Sequence, residues 1–280
     1  MFSAVSFIIM TLPVVKLTQG IHVMHLFYRV DRVRWAALPS DQSAQARTQL
    51  EALCAANAAT SHPRLATFAN ISGKADLAFM LYAAELGSLA QMHRDLEACF
   101  PPGMLVPEFS YLSVTELSEY TTSDEENQQM LIEQEKLERG SEAFETRLAA
   151  LRKRMADYEQ YRLYPELPDW EIMGFYPMSK RRQLADNWYS QDLATRKRLM
   201  GGHARVGRKY SGRISQLITG STGLDNWEWG VTLMAHQTDA IKEIVYEMRF
   251  DEVTARFGEF GPFFINLRLA PAALWEHLRL

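Results

Sequence analysis

The chain has 280 residues, 47% of them apolar and 23% charged, enough for a substantial core in one large domain or two modest ones. A net charge of -4 carries no basic footprint, so nucleic acid is not expected as a partner. Two cysteines, Cys54 and Cys99, are too few for a disulfide framework and form no CxxC, so they read as buried thiols in a reducing compartment.

The first ten residues, MFSAVSFIIM, are apolar but have no Lys or Arg before Lys16 and are too short to span a bilayer. They read as a short extension before the first strand, and the chain as a cytoplasmic protein without membrane contact. A strand is then expected over Gly20–Val30, and a helix from about Ser40 to Ala58. RLATFANIS and KADLAFMLYAA read as two strands joined at a turn containing Gly73. A helix over Leu86–Cys99 and the strand PEFSYLSVTEL complete a β-α-β-β-α-β unit.

The same order returns at the C-terminal end. WEIMGFYPM is a strand, Asp192 to Tyr210 a helix, and GRISQLITG with NWEWGVTLMA a hairpin across STGLD. A helix from Asp239 to Arg249 and the strand GPFFINLRL close the second unit. The expected fold is therefore α+β: two ferredoxin-like repeats, at 1–117 and 166–280, curling into one barrel-like core with helices outside. Between them, 118–165 is a charged connector, read as a pair of exposed helices or one long helix broken at Gly140.

Chemistry concentrates in the second repeat. The strand ending in GFYPMSKRR stops at a phenol, Tyr176, and opens onto Lys180, Arg181 and Arg182. Either this is a solvated basic turn, or Tyr176 faces a pocket whose ligand carries carboxylates or phosphates held by the cations. His203 follows Gly201 and Gly202 on a helix and precedes Gly207 on its own face. Glycine costs about 1 kcal/mol in a helix interior, so three need a reason. One is a helix packed closely on the sheet; the other is a flat macrocycle whose iron His203 ligates. His22 and His25 fall on opposite faces of the first strand, and His62, His93, His236 and His277 read as loop or surface residues.

GFYPMSKRR…NWY, HARVGRKYSGRISQLITGSTGLDNWEWGVTL and IVYEMRFDEVTARFGEFGPFF closely resemble the coproheme decarboxylases of the chlorite dismutase superfamily. The resemblance is dense from Leu163 to Phe264 and weaker from Gly20 to Leu117. It implies a dimeric α+β barrel within one chain, with the tetrapyrrole in the C-terminal half. It also implies oxidative removal of two propionates from iron coproporphyrin III (coproheme) by hydrogen peroxide, giving haem b. By the same resemblance His203 is the proximal iron ligand, Tyr176 the phenol that becomes a radical, and Lys180 the lysine engaging a reactive propionate. Arg162, Arg208 and Thr254 would hold propionates, while Met178 and Tyr111 would line the pocket. Gln216 stands where chlorite dismutases carry a distal arginine, which points away from chlorite chemistry. No histidine base occurs in DYEQYR, so the type found in Firmicutes is implied, as are a homopentamer and transient contact with a ferrochelatase.

Overall fold

Alternation sets the first strand, β1 (His22–Val30): Val23, His25 and Phe27 face one side, and Met24, Leu26 and Tyr28 the other. In this computed structural model, residues 13–58 and 64–280 are described; the N-terminal extension and His62 lie outside them. After β1 come α1 (Arg32–Ala36), α2 (Ser40–Ala58), β2 (Arg64–Asn70), β3 (Leu77–Ala83), α3 (Leu86–Ala98) and β4 (Leu105–Thr115). The connector holds α4 (Asp124–Glu133) and α5 (Glu142–Leu163). The second repeat contains β5 (Ile172–Lys180), a 3-10 turn at Trp188–Ser190, α6 (Leu193–Lys209), β6 (Ile214–Gly220) and β7 (Trp229–Ala235). It ends with α7 (Thr238–Met248), α8 (Glu252–Phe257), β8 (Gly258–Phe260), β9 (Phe264–Arg268) and α9 (Pro271–Leu278).

The strands run in the order β7-β6-β4-β1-β3-β2-β9-β5-β8, and β5 also pairs with β7. Eight strands thus close into a ring, with β8 a short addition on β5. Closure leaves the two ferredoxin-like halves without a long open edge between them. The halves meet at two antiparallel seams, Val114 and Thr115 of β4 against Gly220 and Thr219, and Phe68–Asn70 of β2 against Arg268–Asn266. Buried amides close the second seam: Asn70 donates to Asn266 Oδ1 at 2.8 Å, and Asn266 donates to the Met173 carbonyl at 3.0 Å.

Inside the ring, Phe27, Phe68, Tyr111, Phe175 and Phe264 pack with Met80, Met173 and Met234. Each buried aromatic there contributes about 2–3 kcal/mol. His25 stacks on Phe175 at 4.1 Å and shares a 2.9 Å hydrogen bond with Thr232. Burial pushes its pKa down to about 3, so it is a neutral core histidine.

The outer faces of the two halves differ. Over the first, α2, α3 and α9 cover the sheet, and Leu274, Trp275 and Leu278 of α9 fill the space, Trp275 stacking on Trp35 at 5.3 Å. Over the second, α6 and α7 lie on β5, β6 and β7. The connector helices do break at Gly140, which takes a φ of +84°. They are not simply exposed, because Leu131, Phe144, Leu148 and Leu151 bury one another between them. Cys54 and Cys99 are free thiols, and burial pushes them up to about 12 and about 11.

Candidate functional site

The second half's outer face collects most of the residues singled out in the sequence. On β5, Tyr176 and Met178 pack into the cluster under α6 and α7, and the strand's alternation gives Lys180 the same face. Ile214 and Ile218 of β6 join that cluster, so Gln216 between them faces it too.

His203 is on α6, which is capped by Asp192 accepting the Thr195 N–H at 2.8 Å. Its Nδ1–H donates to Asp251 Oδ2 at 3.0 Å. That carboxylate fixes the tautomer, leaving the Nε2 lone pair without a protein partner among the described residues. Asp251 is also the N-cap of α8, accepting the Thr254 N–H at 2.9 Å and the Thr254 hydroxyl at 3.1 Å. Burial disfavours the Asp251 carboxylate, but the hydrogen bonds from His203 and Thr254 outweigh it and hold its pKa below the usual value.

The glycines beside His203 do not serve close packing. A Cβ at Gly201 or Gly202 would meet nothing within 4 Å. A Cβ at Gly207 would stand 3.4 Å from Gln216 Nε2, so this helix face looks directly onto the Gln216 amide. Tyr161 at the end of α5 donates to the Gln216 carbonyl at 3.2 Å, bringing the neighbouring Arg162 to the same region. Arg162 donates from Nη2 to the Glu116 carbonyl at 3.2 Å, while its buried Nε has no partner among the described residues.

Tyr176 is buried, stacked on Phe263 at 4.5 Å and near Phe260 at 5.7 Å. Its hydroxyl has no hydrogen-bond partner among the described residues. Burial raises the phenol's pKa, with Arg249 pulling weakly the other way, so it is a neutral O–H donor at physiological pH. Lys180 is only 8% exposed, with Nζ 4.8 Å from the centre of the Trp188 ring. Burial lowers its pKa to about 8, opposed by the charges of Asp251 and Glu228. It makes no direct ion pair with either.

Tyr111 does not join this group. Fully buried, it packs 5.6 Å from Phe175 inside the barrel, and Phe175 points opposite to Tyr176 on β5. A pocket-lining role for Tyr111 is therefore corrected to an inner core role. Arg208 is exposed at the end of α6 and, like Arg162, Lys180 and Arg249, has no carboxylate partner among the described residues. Arg181 and Arg182 serve the turn: Arg181 N–H donates to the Phe257 carbonyl at 2.8 Å, and Arg182 pairs with Glu228 at 3.8 Å.

Sequence reasoning missed Asp251, Glu228 and Arg249. Asp251 was legible as a D-x-x-T helix cap before α8. Arg249 at the end of α7 lies with its guanidinium 3.9 Å over the Phe260 ring. Glu228, buried in NWEWG, had only its charge in an apolar run to mark it. Among the described residues no cluster of three or more His, Cys, Asp or Glu side chains could hold a metal ion alone. No helix there is long and apolar enough to cross a membrane.

Two ferredoxin-like halves sharing one closed sheet, with an imidazole presented above the second half, define an α+β barrel of the chlorite dismutase type. Residues 43–269 match the chlorite dismutase family profile, and the chain belongs to that family. A haem-binding protein from Thermus thermophilus is 34% identical, over 96% of this chain and 98% of that one, with a TM-score of 0.77. A double mutant of the chlorite dismutase from Candidatus Nitrospira defluvii shares the fold at 15% identity, over 94% and 98% of the two chains (TM-score 0.69). The same enzyme with imidazole bound matches at 14% identity over 94% and 97%, with a TM-score of 0.68.

Proposed function

We propose that this protein is a coproheme decarboxylase, converting two propionates of iron coproporphyrin III to vinyl groups with hydrogen peroxide and yielding haem b. The observation that carries this reading is one strand face bearing a buried, unpartnered phenol and a buried, unpaired ammonium, Tyr176 and Lys180, in the half where α6 presents His203. The residues fit such a substrate. The free Nε2 of His203 suits an iron ligand, and its bond to Asp251 holds the imidazole's tautomer and orientation. Lys180, Arg162, Arg208 and Arg249 are cations without carboxylate partners among the described residues, suited to the four carboxylates of coproporphyrin.

Bound iron coproporphyrin supplies the redox centre that reduces peroxide. Tyr176 is the residue placed to give up an electron and a proton and then take a hydrogen atom from a propionate side chain. Each turnover consumes one propionic acid group and one hydrogen peroxide and releases one vinyl group, one carbon dioxide and two waters. Lys180 orients a reacting carboxylate, Thr254 and the arginines hold the others, and Met178 lines the apolar wall. Gln216, a neutral amide, offers no cation to retain chlorine oxyanions. By family resemblance the active form is a homopentamer.

Replacing Tyr176 by phenylalanine tests the reading. The hydroxyl has no partner among the described residues, so the variant should keep the parent's stability and bind iron coproporphyrin III within about 1 kcal/mol. After peroxide it should retain all four carboxylates by mass spectrometry. Normal haem b formation by Tyr176→Phe would remove the tyrosine from the mechanism.

A further inference from the structure

Just past the end of β4, Glu116 brings a carboxylate onto the sheet face that carries Tyr176 and Lys180. Trp229 of β7 lies between Met178 of β5 and Gly220 of β6 as the cross-strand partner of both, and such partners share a face. The Glu116 carboxylate lies over the Gly220 end of that row. A Cβ on Gly220 would collide with both of its oxygens, so an alanine there would displace it. Beside it, the Trp229 indole N–H donates to Glu116 Oε1 at 3.2 Å, a hydrogen bond strengthened by the carboxylate's charge.

The same residue touches Arg162 through its backbone. The Arg162 guanidinium donates from Nη2 to the Glu116 carbonyl at 3.2 Å, and its buried Nε has no partner among the described residues. A glutamate side chain is long enough to swing its carboxylate from Gly220 back to that guanidinium. The fork of guanidinium N–H groups would normally be the better partner for a carboxylate. Here the carboxylate is bound to the indole instead, and Arg162 is left with its charge unpaired.

We propose that Trp229 and Gly220 hold Glu116 away from Arg162, and so keep that guanidinium open for a carboxylate of the substrate. The proposal rests on the decarboxylase reading above, in which Arg162 holds a propionate. A Glu116 carboxylate freed from the indole would be tethered beside Arg162 and would compete with the substrate as an intramolecular ligand. Trp229 supplies the N–H that holds it off, and Gly220 supplies the space in which it rests. Both are positioning residues that act through Glu116.

Equilibrium titration of ferric iron coproporphyrin III, without peroxide, tests this in the parent, in Trp229→Phe and in Gly220→Ala, each with and without Glu116→Gln. Trp229→Phe keeps an aromatic ring and removes the N–H, while Gly220→Ala adds only the Cβ that meets the carboxylate. Each should raise the Kd about three- to fivefold, the scale of one exposed ion pair formed in competition. Glu116→Gln should abolish that rise in both backgrounds and leave the Kd unchanged on its own. Either variant suffices should the other fail to fold. A Kd that does not rise, a rise that persists with Glu116→Gln, or an equal tightening by Glu116→Gln alone would overturn the proposal.

Urea unfolding without tetrapyrrole gives a second arm that needs no ligand. In the parent, Glu116→Gln and Arg162→Met should be additive, because carboxylate and guanidinium do not pair. In Trp229→Phe the two should couple, the combined variant being less destabilised than the sum of its parts, since an ion pair formed there is lost only once. Equal coupling in both backgrounds would overturn the proposal. A parent that bound no iron coproporphyrin III would remove the decarboxylase reading, while the unfolding comparison would still decide whether Trp229 keeps Glu116 from Arg162.

Discussion

Lys180 is held in the substrate-free protein at a cost, and that cost can be measured. Burial moves its pKa from 10.5 to about 8, despite the help of Asp251 and Glu228. At neutral pH this corresponds to about 3 kcal/mol of destabilisation from keeping a charged ammonium in the folded chain. Lys180→Met removes the charge and keeps an unbranched side chain of similar length. It also loses the contact with the Trp188 ring, worth about 1 kcal/mol, so a net gain of about 2 kcal/mol is expected at pH 7. The sign of the pH dependence follows from the direction of the shift. Between about 8 and 10.5 the unfolded chain binds more protons at this site than the folded chain, so the parent gains stability as pH rises through that window. The advantage of Lys180→Met should therefore be full below pH 8 and shrink towards pH 10. Urea unfolding midpoints of parent and variant at pH 7 and pH 10, without tetrapyrrole, check both statements. A variant less stable than the parent at pH 7, or a difference that does not change with pH, would refute the reasoning.

Asp251→Asn should keep the helix cap, since both side chains cap well, but weaken the hydrogen bond that His203 donates. The iron–histidine stretching frequency of the ferrous iron-porphyrin complex should fall, while the unfolding midpoint moves by no more than about 1 kcal/mol; an unchanged frequency would detach Asp251 from the iron ligand. Gln216→Arg places a cation opposite Gly207 and should raise oxygen release from chlorite above the parent's without producing a full chlorite dismutase. An oxygen electrode decides it, and equal release from both proteins would count against a role for Gln216 above the iron.

The two repeats could be read because their strands alternate and their helices are long, which leaves period and length as strong local signals. The short α8, β8 and α9 escaped that reading. Only the Pro at the start of α9 and the Asp251 cap mark their beginnings. Tyr111 shows a different limit: its alternation on β4 is plain, but which face is the barrel's interior depends on closure through the β4–β6 and β5–β7 pairings. The partnership of His203 with Asp251, 48 residues apart, likewise exists only after α8 docks beside α6. Lys180 and Tyr176 were legible as chemistry out of place, a phenol and a cation at the end of an apolar strand. That the ammonium has no direct ion pair among the described residues could be known only from the packing around it.

The most direct test of the decarboxylase reading is mass spectrometry of the porphyrin after ferric iron coproporphyrin III and hydrogen peroxide are added to the parent protein. Two successive losses, each of carbon dioxide plus two hydrogens, ending at haem b, are the predicted result. A bound porphyrin that keeps all four carboxylates, or is bleached without passing through a three-propionate species, would contradict it.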